Sequence, residues 1–127
     1  MTHRTKILVI DDEKDIGVII ARCLTRHGYR VHCVTGGKRG LDEAMSGKFD
    51  MVIVDWTMPE QSGAEIINQL RASQETHDLP ILVVTGKRNP DFLDDSLNVG
   101  ADDFLFKPFA LRHLAKKVGR LLHWASA

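Results

Sequence analysis

Short apolar runs alternate along the chain with longer stretches in which apolar residues recur every three or four positions. Five of the runs are rich in β-branched or aromatic residues and predict strands, at residues 7–10, 31–34, 51–54, 81–84 and 104–106. After the first run, apolar residues recur with helical spacing from Ile16 through Ile19 to Leu24, and Gly28 follows as a left-handed stop. This stretch predicts the first helix.

A helix is also predicted after each of the other four runs. The fourth helix has Asn89 as its cap, Pro90 at its first position and Gly100 just past its end. The apolar positions of the second, third and last helices are, in order, Leu41, Ala44 and Met45; Ile66, Ile67 and Leu70; and Leu111, Leu114, Val118, Leu121 and Leu122.

Strict alternation of strands and helices predicts a parallel five-stranded sheet with helices on both faces, joined by right-handed crossovers. The fold class is therefore doubly wound α/β, built from five βα units. A chain of 127 residues has the size of one domain, so residues 1–127 predict a single domain with its core from about residue 5 to about residue 124.

Composition narrows the range of partners. The 17 basic residues balance the 17 acidic ones, so no overall field favours nucleic acid or a membrane surface. The apolar runs are too short to span a bilayer and no signal peptide is evident, which predicts a cytoplasmic protein.

Cys23 and Cys33 have no metal-ligand spacing and are expected to be free, buried thiols. A basic strip on the last helix is expected to be a solvated face, and it comprises Arg112, His113, Lys116, Lys117 and Arg120.

Polar residues stand where four of the five strands end. Asp11 and Asp12 end the first strand, Asp55 the third, Thr85 the fourth and Lys107 the fifth. In an open parallel sheet, ligands bind beyond the carboxyl ends of the strands. We therefore expect these side chains to converge there.

These residue types favour phosphoryl chemistry. Three carboxylates at one edge would repel one another unless a cation held them together, and oxygen ligands with room for water and phosphate favour Mg²⁺. Lys107 adds positive charge and Thr85 a hydroxyl, which suit the oxygens of a transferring phosphoryl group. Asp55 is then the candidate nucleophile, forming an acyl phosphate.

The same residues resemble the signature of response-regulator receiver domains, which are signalling domains of two-component systems. Asp11-Asp12, Asp55 with Pro59 and Gly63, Thr85 and Lys107-Pro108 match in order and spacing over nearly the whole chain. The resemblance implies a flavodoxin-like sheet with strand order 2-1-3-4-5. It also implies a cis peptide bond between Lys107 and Pro108.

The resemblance further implies how such a domain would work. A sensor histidine kinase or a histidine phosphotransfer protein would donate a phosphoryl group to Asp55. Asp12, Asp55 and the backbone carbonyl of Thr57 would bind Mg²⁺, with Asp11 assisting through water. Thr85 and Phe104 would act as switch residues.

Switching would change the surface formed by the fourth predicted helix, the fifth strand and the last helix. That surface would signal to a downstream protein or to an output domain, with no direct binding of nucleic acid or membrane by this chain. The domain would assist its own phosphorylation and dephosphorylation without being an enzyme. One large DNA-binding subfamily that forms phosphorylation-dependent dimers often carries glutamate where this chain has His113. That difference weakens the inference of such a homodimer, and the oligomeric state stays open.

Two other functions remain as alternatives. A receiver-like module could act by protein contact without ever being phosphorylated. A phosphatase of the haloacid dehalogenase type also uses an aspartyl nucleophile, but in that class the nucleophile follows the first strand and the acidic pair comes last. The sequence does not distinguish a stand-alone regulator from an excised module or the receiver of a hybrid kinase.

Overall fold

The computed structural model of the protein describes residues 4–86, 95 and 98–126. Five strands form one parallel sheet in the order β2-β1-β3-β4-β5, which confirms the expected strand order. The strands are β1 (Lys6–Ile10), β2 (Arg30–Val34), β3 (Met51–Asp55), β4 (Ile81–Thr85) and β5 (Asp103–Phe106).

Four helices are described within these residues, and they are α1 (Lys14–Arg26), α2 (Gly37–Ala44), α3 (Gly63–Ala72) and the C-terminal helix (Leu111–Ser126). The predicted stop after α1 is confirmed, because Gly28 has a φ of 92°. Most of the predicted fourth helix, including Asn89 and Pro90, lies outside the described residues. Its described positions 95, 98 and 99 are helical, and Gly100 follows with a φ of 113°.

The sheet separates two hydrophobic clusters because neighbouring strand residues face opposite sides. Leu8 and Val54 point into the cluster that also contains Ile66 and Leu70 of α3. The other cluster joins Ile7, Val9 and Ile53 to residues of α1 and the C-terminal helix, namely Ile20, Leu24, Leu114 and Val118. Helices therefore cover both faces, which confirms the doubly wound α/β class.

Two apolar positions of the predicted helices and one of the two thiols expected to be buried are exposed. Ile19 and Leu111 are each 45% exposed, because α1 and the C-terminal helix turn other apolar residues toward the sheet. Cys23 is buried as expected, but Cys33 is exposed because it lies on the edge strand β2. The Cys33 thiol donates to the carbonyl of Gly17 at 3.2 Å.

Strand register brings the carboxyl ends to one level. Ile10 pairs with Val54, so Asp11 and Asp55 follow adjacent paired residues. Thr85 pairs with Phe106, the residue before Lys107. Four strand tips consequently meet at one edge of the sheet. In the part of the chain that the structure describes, no helix has the length and apolar character to cross a membrane.

Candidate functional site

A cleft opens at the carboxyl ends of the strands. It is lined by Asp12, Glu13, Ile16, Asp55, Thr57, Thr85, Gly86, Lys107 and Pro108. Asp11 is buried beside it, with 3% of its surface exposed. The side chains expected to converge from four separate strand ends therefore do so.

The ammonium group of Lys107 lies among several carboxylates. Its Nζ atom is 3.0 Å from Asp11 Oδ2, 3.4 Å from Asp55 Oδ2 and 3.5 Å from Glu13 Oε1. The Lys107 backbone amide donates to the carbonyl of Thr85 at 2.8 Å. The peptide bond between Lys107 and Pro108 is cis, as the resemblance implied. One cation thus faces three anions.

Asp55 lies at the tip of β3, where its side chain and its carbonyl both have close neighbours. Its Oδ1 accepts a hydrogen bond from the Thr57 amide at 3.2 Å. Gly63, the first residue of α3, approaches so closely that an added Cβ would lie 2.5 Å from the Asp55 carbonyl oxygen and 2.9 Å from Trp56 Cα. Ser62 caps α3 by accepting from the Glu65 amide at 3.2 Å. Glycine at position 63 therefore allows α3 to begin directly against the site.

The surroundings of Asp55 raise the pKa of its carboxyl group. Burial and then the negative charge of Asp11 raise the pKa of Asp55 to about 6, although Lys107 and the Thr57 amide act in the opposite direction. Burial lowers the pKa of Lys107, but its hydrogen bond to Asp11 and the charges of Asp55, Asp11 and Glu13 outweigh burial and raise it overall. The site therefore carries more negative charge than Lys107 offsets.

The same carboxylates form a candidate cation site. One oxygen each from Asp11, Asp12, Glu13 and Asp55 lies within 4.8 Å of the others. The donors are all oxygens, and the excess negative charge is what a divalent cation would neutralise, so the residues fit a hard ion such as Mg²⁺. Glu13 was not among the predicted ligands. The backbone amide of Glu13 donates a hydrogen bond to Asp11 Oδ1 at 2.8 Å, and this local turn brings the Glu13 side chain into the cluster. The spacing of residues along the chain does not reveal such a turn.

The two predicted switch residues lie in adjacent strands. Thr85 is 1% exposed and lines the cleft. Phe104 pairs in register with Val83, two positions before Thr85, and is half-buried against the core. Its ring meets that of Phe106 edge-on, with 5.3 Å between centroids. Their switching roles remain predictions.

The basic strip is solvated except at one position. Arg112, His113, Lys116 and Arg120 are exposed, as expected. Lys117 departs from the expectation because it is half-buried and forms an ion pair with Asp103 of β5 at 3.0 Å. Helical rotation turns this one lysine toward the sheet.

Comparison with known proteins gives consistent matches. A family model described as the response regulator receiver domain matches residues 7–119. The response regulator MprA of Mycolicibacterium vanbaalenii is 38% identical over 117 residues, which cover 92% of this chain and 50% of MprA. The chain spans about half the length of the curated relatives it matches.

Solved structures show the same fold. The chemotaxis protein CheY4 of Vibrio cholerae superposes with a TM-score of 0.88 and 30% identity, over 94% of this chain and 99% of CheY4. The receiver domain of the sensor histidine kinase PA1611 from Pseudomonas aeruginosa superposes with a TM-score of 0.87 and 25% identity, over 95% of this chain and 99% of that one. That receiver was crystallised with a magnesium ion coordinated in its active site cleft.

Proposed function

This chain belongs to the response regulator receiver domain family, and on that premise we propose that it accepts a phosphoryl group on Asp55 from a phosphohistidine. The donor would be a sensor histidine kinase or a histidine phosphotransfer protein. Residues 1–127 would form one such domain. The single observation that carries this proposal is the meeting of Asp55, Thr85 and Lys107 in the cleft at the strand ends.

The transfer step needs an ionised carboxylate. With a pKa of about 6, Asp55 is mostly ionised at neutral pH and is more basic than an ordinary aspartate. One of its oxygens would form a bond to phosphorus while the bond from phosphorus to the histidine nitrogen breaks, and that nitrogen would keep the electron pair. When the other ring nitrogen of the phosphohistidine carries a proton, the products are an aspartyl phosphate and a neutral imidazole.

Positive charge and hydroxyl donors would stabilise the transferring group. Lys107 lies 3.4 Å from Asp55, where its ammonium would reach phosphoryl oxygens. Thr85 lines the same cleft, where its hydroxyl would donate to one of those oxygens. Both groups act on charge that develops during transfer, which is where stabilisation lowers the barrier.

Asp12, Asp55 and the Thr57 carbonyl, assisted by Asp11, would hold Mg²⁺ at this site. The clustering of carboxylate oxygens and the raised pKa of Asp55 support that assignment. When bound, the ion would supply further positive charge to the phosphoryl oxygens.

The output would be a change of surface. Thr85 would move toward the phosphoryl group, Phe104 would turn inward, and the surface of β5, the C-terminal helix and the segment before β5 would adopt a second arrangement. The receiver would thereby signal to a downstream protein, or to an output domain of a longer chain.

Intact mass spectrometry after incubation with Mg²⁺ and acetyl phosphate tests the proposal. Wild-type protein should gain one phosphoryl mass, and Asp55→Asn should gain none. Asp42→Asn, which changes an exposed carboxylate on α2, is the matched control and should label normally.

Two results would contradict the proposal. No added mass on the wild type would favour a module that acts by contact alone. Continuous release of phosphate from added phosphate esters would favour a phosphatase.

A further inference from the structure

An ion pair joins the C-terminal helix to β5 beside Phe104, the predicted switch residue. Lys117 Nζ is 3.0 Å from both carboxylate oxygens of Asp103. Their side chains are only 28% and 21% exposed, so water screens this pair less than it screens a fully exposed one. We call the group of Lys117, Asp103 and Phe104 the β5 clamp.

Phe104 is restrained at its backbone and at its ring. Its amide donates to Asp103 Oδ1 at 2.8 Å, so the carboxylate that binds Lys117 also fixes the start of β5. The Lys117 ammonium lies 5.7 Å from the centroid of the Phe104 ring, within range of a cation–π attraction. Lys117 thus binds both the ring and the residue that holds its backbone.

The clamp is connected to the cleft through the sheet. Phe104 contacts Phe106, and Phe106 pairs with Thr85, whose side chain lines the cleft. A change in the position of Thr85 would therefore reach Phe104 through two contacts, the pairing of Thr85 with Phe106 and the contact between the two phenylalanine rings. Moving the Phe104 ring would require giving up its attraction to Lys117.

We propose that Lys117 and Asp103 are positioning residues that hold Phe104 in the arrangement seen here and so oppose the switch. This inference rests on the proposed phosphorylation of Asp55. Because coupling between two sites is reciprocal, a contact that opposes the switch also weakens binding of the phosphoryl group. Weakening the clamp should then tighten binding of the phosphoryl group at Asp55, although neither Lys117 nor Asp103 lines the cleft.

Beryllofluoride, which mimics the phosphoryl group without forming a stable acyl phosphate, measures this coupling in the presence of Mg²⁺. Lys117→Met should bind it about two- to fivefold more tightly than the wild type, a range set by the strength of one cation–π contact or partly exposed ion pair. Lys116→Met changes the neighbouring exposed lysine and should leave the affinity unchanged. Lys117→Arg keeps the charge and should restore wild-type affinity.

A charge exchange tests how much the ion pair contributes by itself. Combining Asp103→Lys with Lys117→Asp keeps an ion pair, but it replaces the cation near the ring by an anion and removes the carboxylate that accepts from the Phe104 amide. Affinity between those of wild type and Lys117→Met is the expected result. The ¹⁹F signal of fluorophenylalanine at position 104 should move in Lys117→Met before any ligand is added, and should stay in place in Lys116→Met.

The outcomes distinguish this inference from the function on which it rests. If the wild type binds beryllofluoride and Lys117→Met binds it no more tightly than Lys116→Met, the inferred role of the clamp is wrong and the proposed function stands. If the wild type takes up neither beryllofluoride nor a phosphoryl group, both are overturned. Urea unfolding of each variant ensures that an affinity change is read only from folded protein.

Discussion

At the carboxyl ends of the strands one ammonium group faces three carboxylates, whereas at the amino ends one guanidinium faces a single carboxylate and several backbone carbonyls. Lys107 is the cation at the first end. Arg71, near the end of α3, is the cation at the second, where its Nη2 lies 2.9 Å from Asp102 Oδ2. Both cations connect segments that are distant in sequence.

The amino-end network satisfies its charges. Arg71 donates to the carbonyl oxygens of Gly100, Thr76, His77 and Leu79 at 2.7–3.4 Å. Asp102 Oδ2 also accepts from the amide of Ile81 at 2.7 Å, which ties the start of β4 to the residue before β5. Every contact here joins a donor to an acceptor.

The carboxyl-end cluster leaves negative charge in excess, and burial with that charge raises the pKa of Asp55. Perturbed titration in a cleft is typical of functional sites, because reactivity and cation binding need charge that the fold alone does not satisfy. The difference between the ends teaches that stability and chemistry are placed at opposite edges of one sheet. Substitutions at the two ends should therefore change the free energy of unfolding in opposite directions.

The largest effect is expected from breaking the amino-end network. Arg71→Met should lower the free energy of unfolding by about 2–4 kcal/mol, because it removes hydrogen bonds to several carbonyls and leaves Asp102 without its guanidinium partner. Urea denaturation measures the change. Arg22→Met, at an exposed position of α1, is the control and should change it by less than about 0.5 kcal/mol. Equal effects of both would remove the structural role assigned to Arg71.

The next effect is of opposite sign. In metal-free buffer at pH 7, Asp55→Asn should raise the free energy of unfolding by about 1–3 kcal/mol, because it removes a buried charge whose folded-state pKa is about 6, against roughly 3.9 in the unfolded chain. The wild type should be stabilised by this group below about pH 4 and should lose that contribution as pH rises through about 6.

Urea titrations at several pH values measure this dependence. The decrease between about pH 4 and about pH 6 should be smaller in Asp55→Asn than in the wild type, and Asp42→Asn should keep the wild-type slope. A steeper decrease in Asp55→Asn would contradict the charge excess assigned to the cluster.

The smallest effect is expected from adding Mg²⁺, which would supply positive charge to the carboxyl-end cluster. Mg²⁺ at ten times its dissociation constant should raise the free energy of unfolding by about 1.4 kcal/mol. Asp12→Asn, at an exposed position of the cluster, should lose most of that gain at the same Mg²⁺ concentration while unfolding normally without the ion. Thermal or urea unfolding with and without chelator measures it, and an undiminished gain in Asp12→Asn would exclude Asp12 as a ligand.

Local pattern was sufficient for most of the fold. Runs of apolar residues located all five strands to within about a residue, and Gly28 and Gly100 marked ends that the structure bears out through positive φ values. The prediction failed where burial depended on neighbours in space. Ile19 and Leu111 fit the helical repeat and are nevertheless exposed, because a period of three to four does not say how wide the covered face is.

Some residues of the site could likewise be predicted from local pattern, and others could not. Residues at strand tips could be predicted, because parallel strands bring their carboxyl ends to one edge. Glu13 and Lys117 could not. Glu13 enters the acidic cluster through a local turn, and Lys117 turns toward β5 by its place on the helix surface.

The order of apolar and polar residues by itself determined the strands, the helices and the edge at which the acidic and basic side chains collect, because these follow from periodicity and strand direction. Only the tertiary structure decided the balance of charge. Distances near 3 Å and loss of water set how far Lys107 offsets its carboxylates, and neither quantity is written in the spacing of residues along the chain.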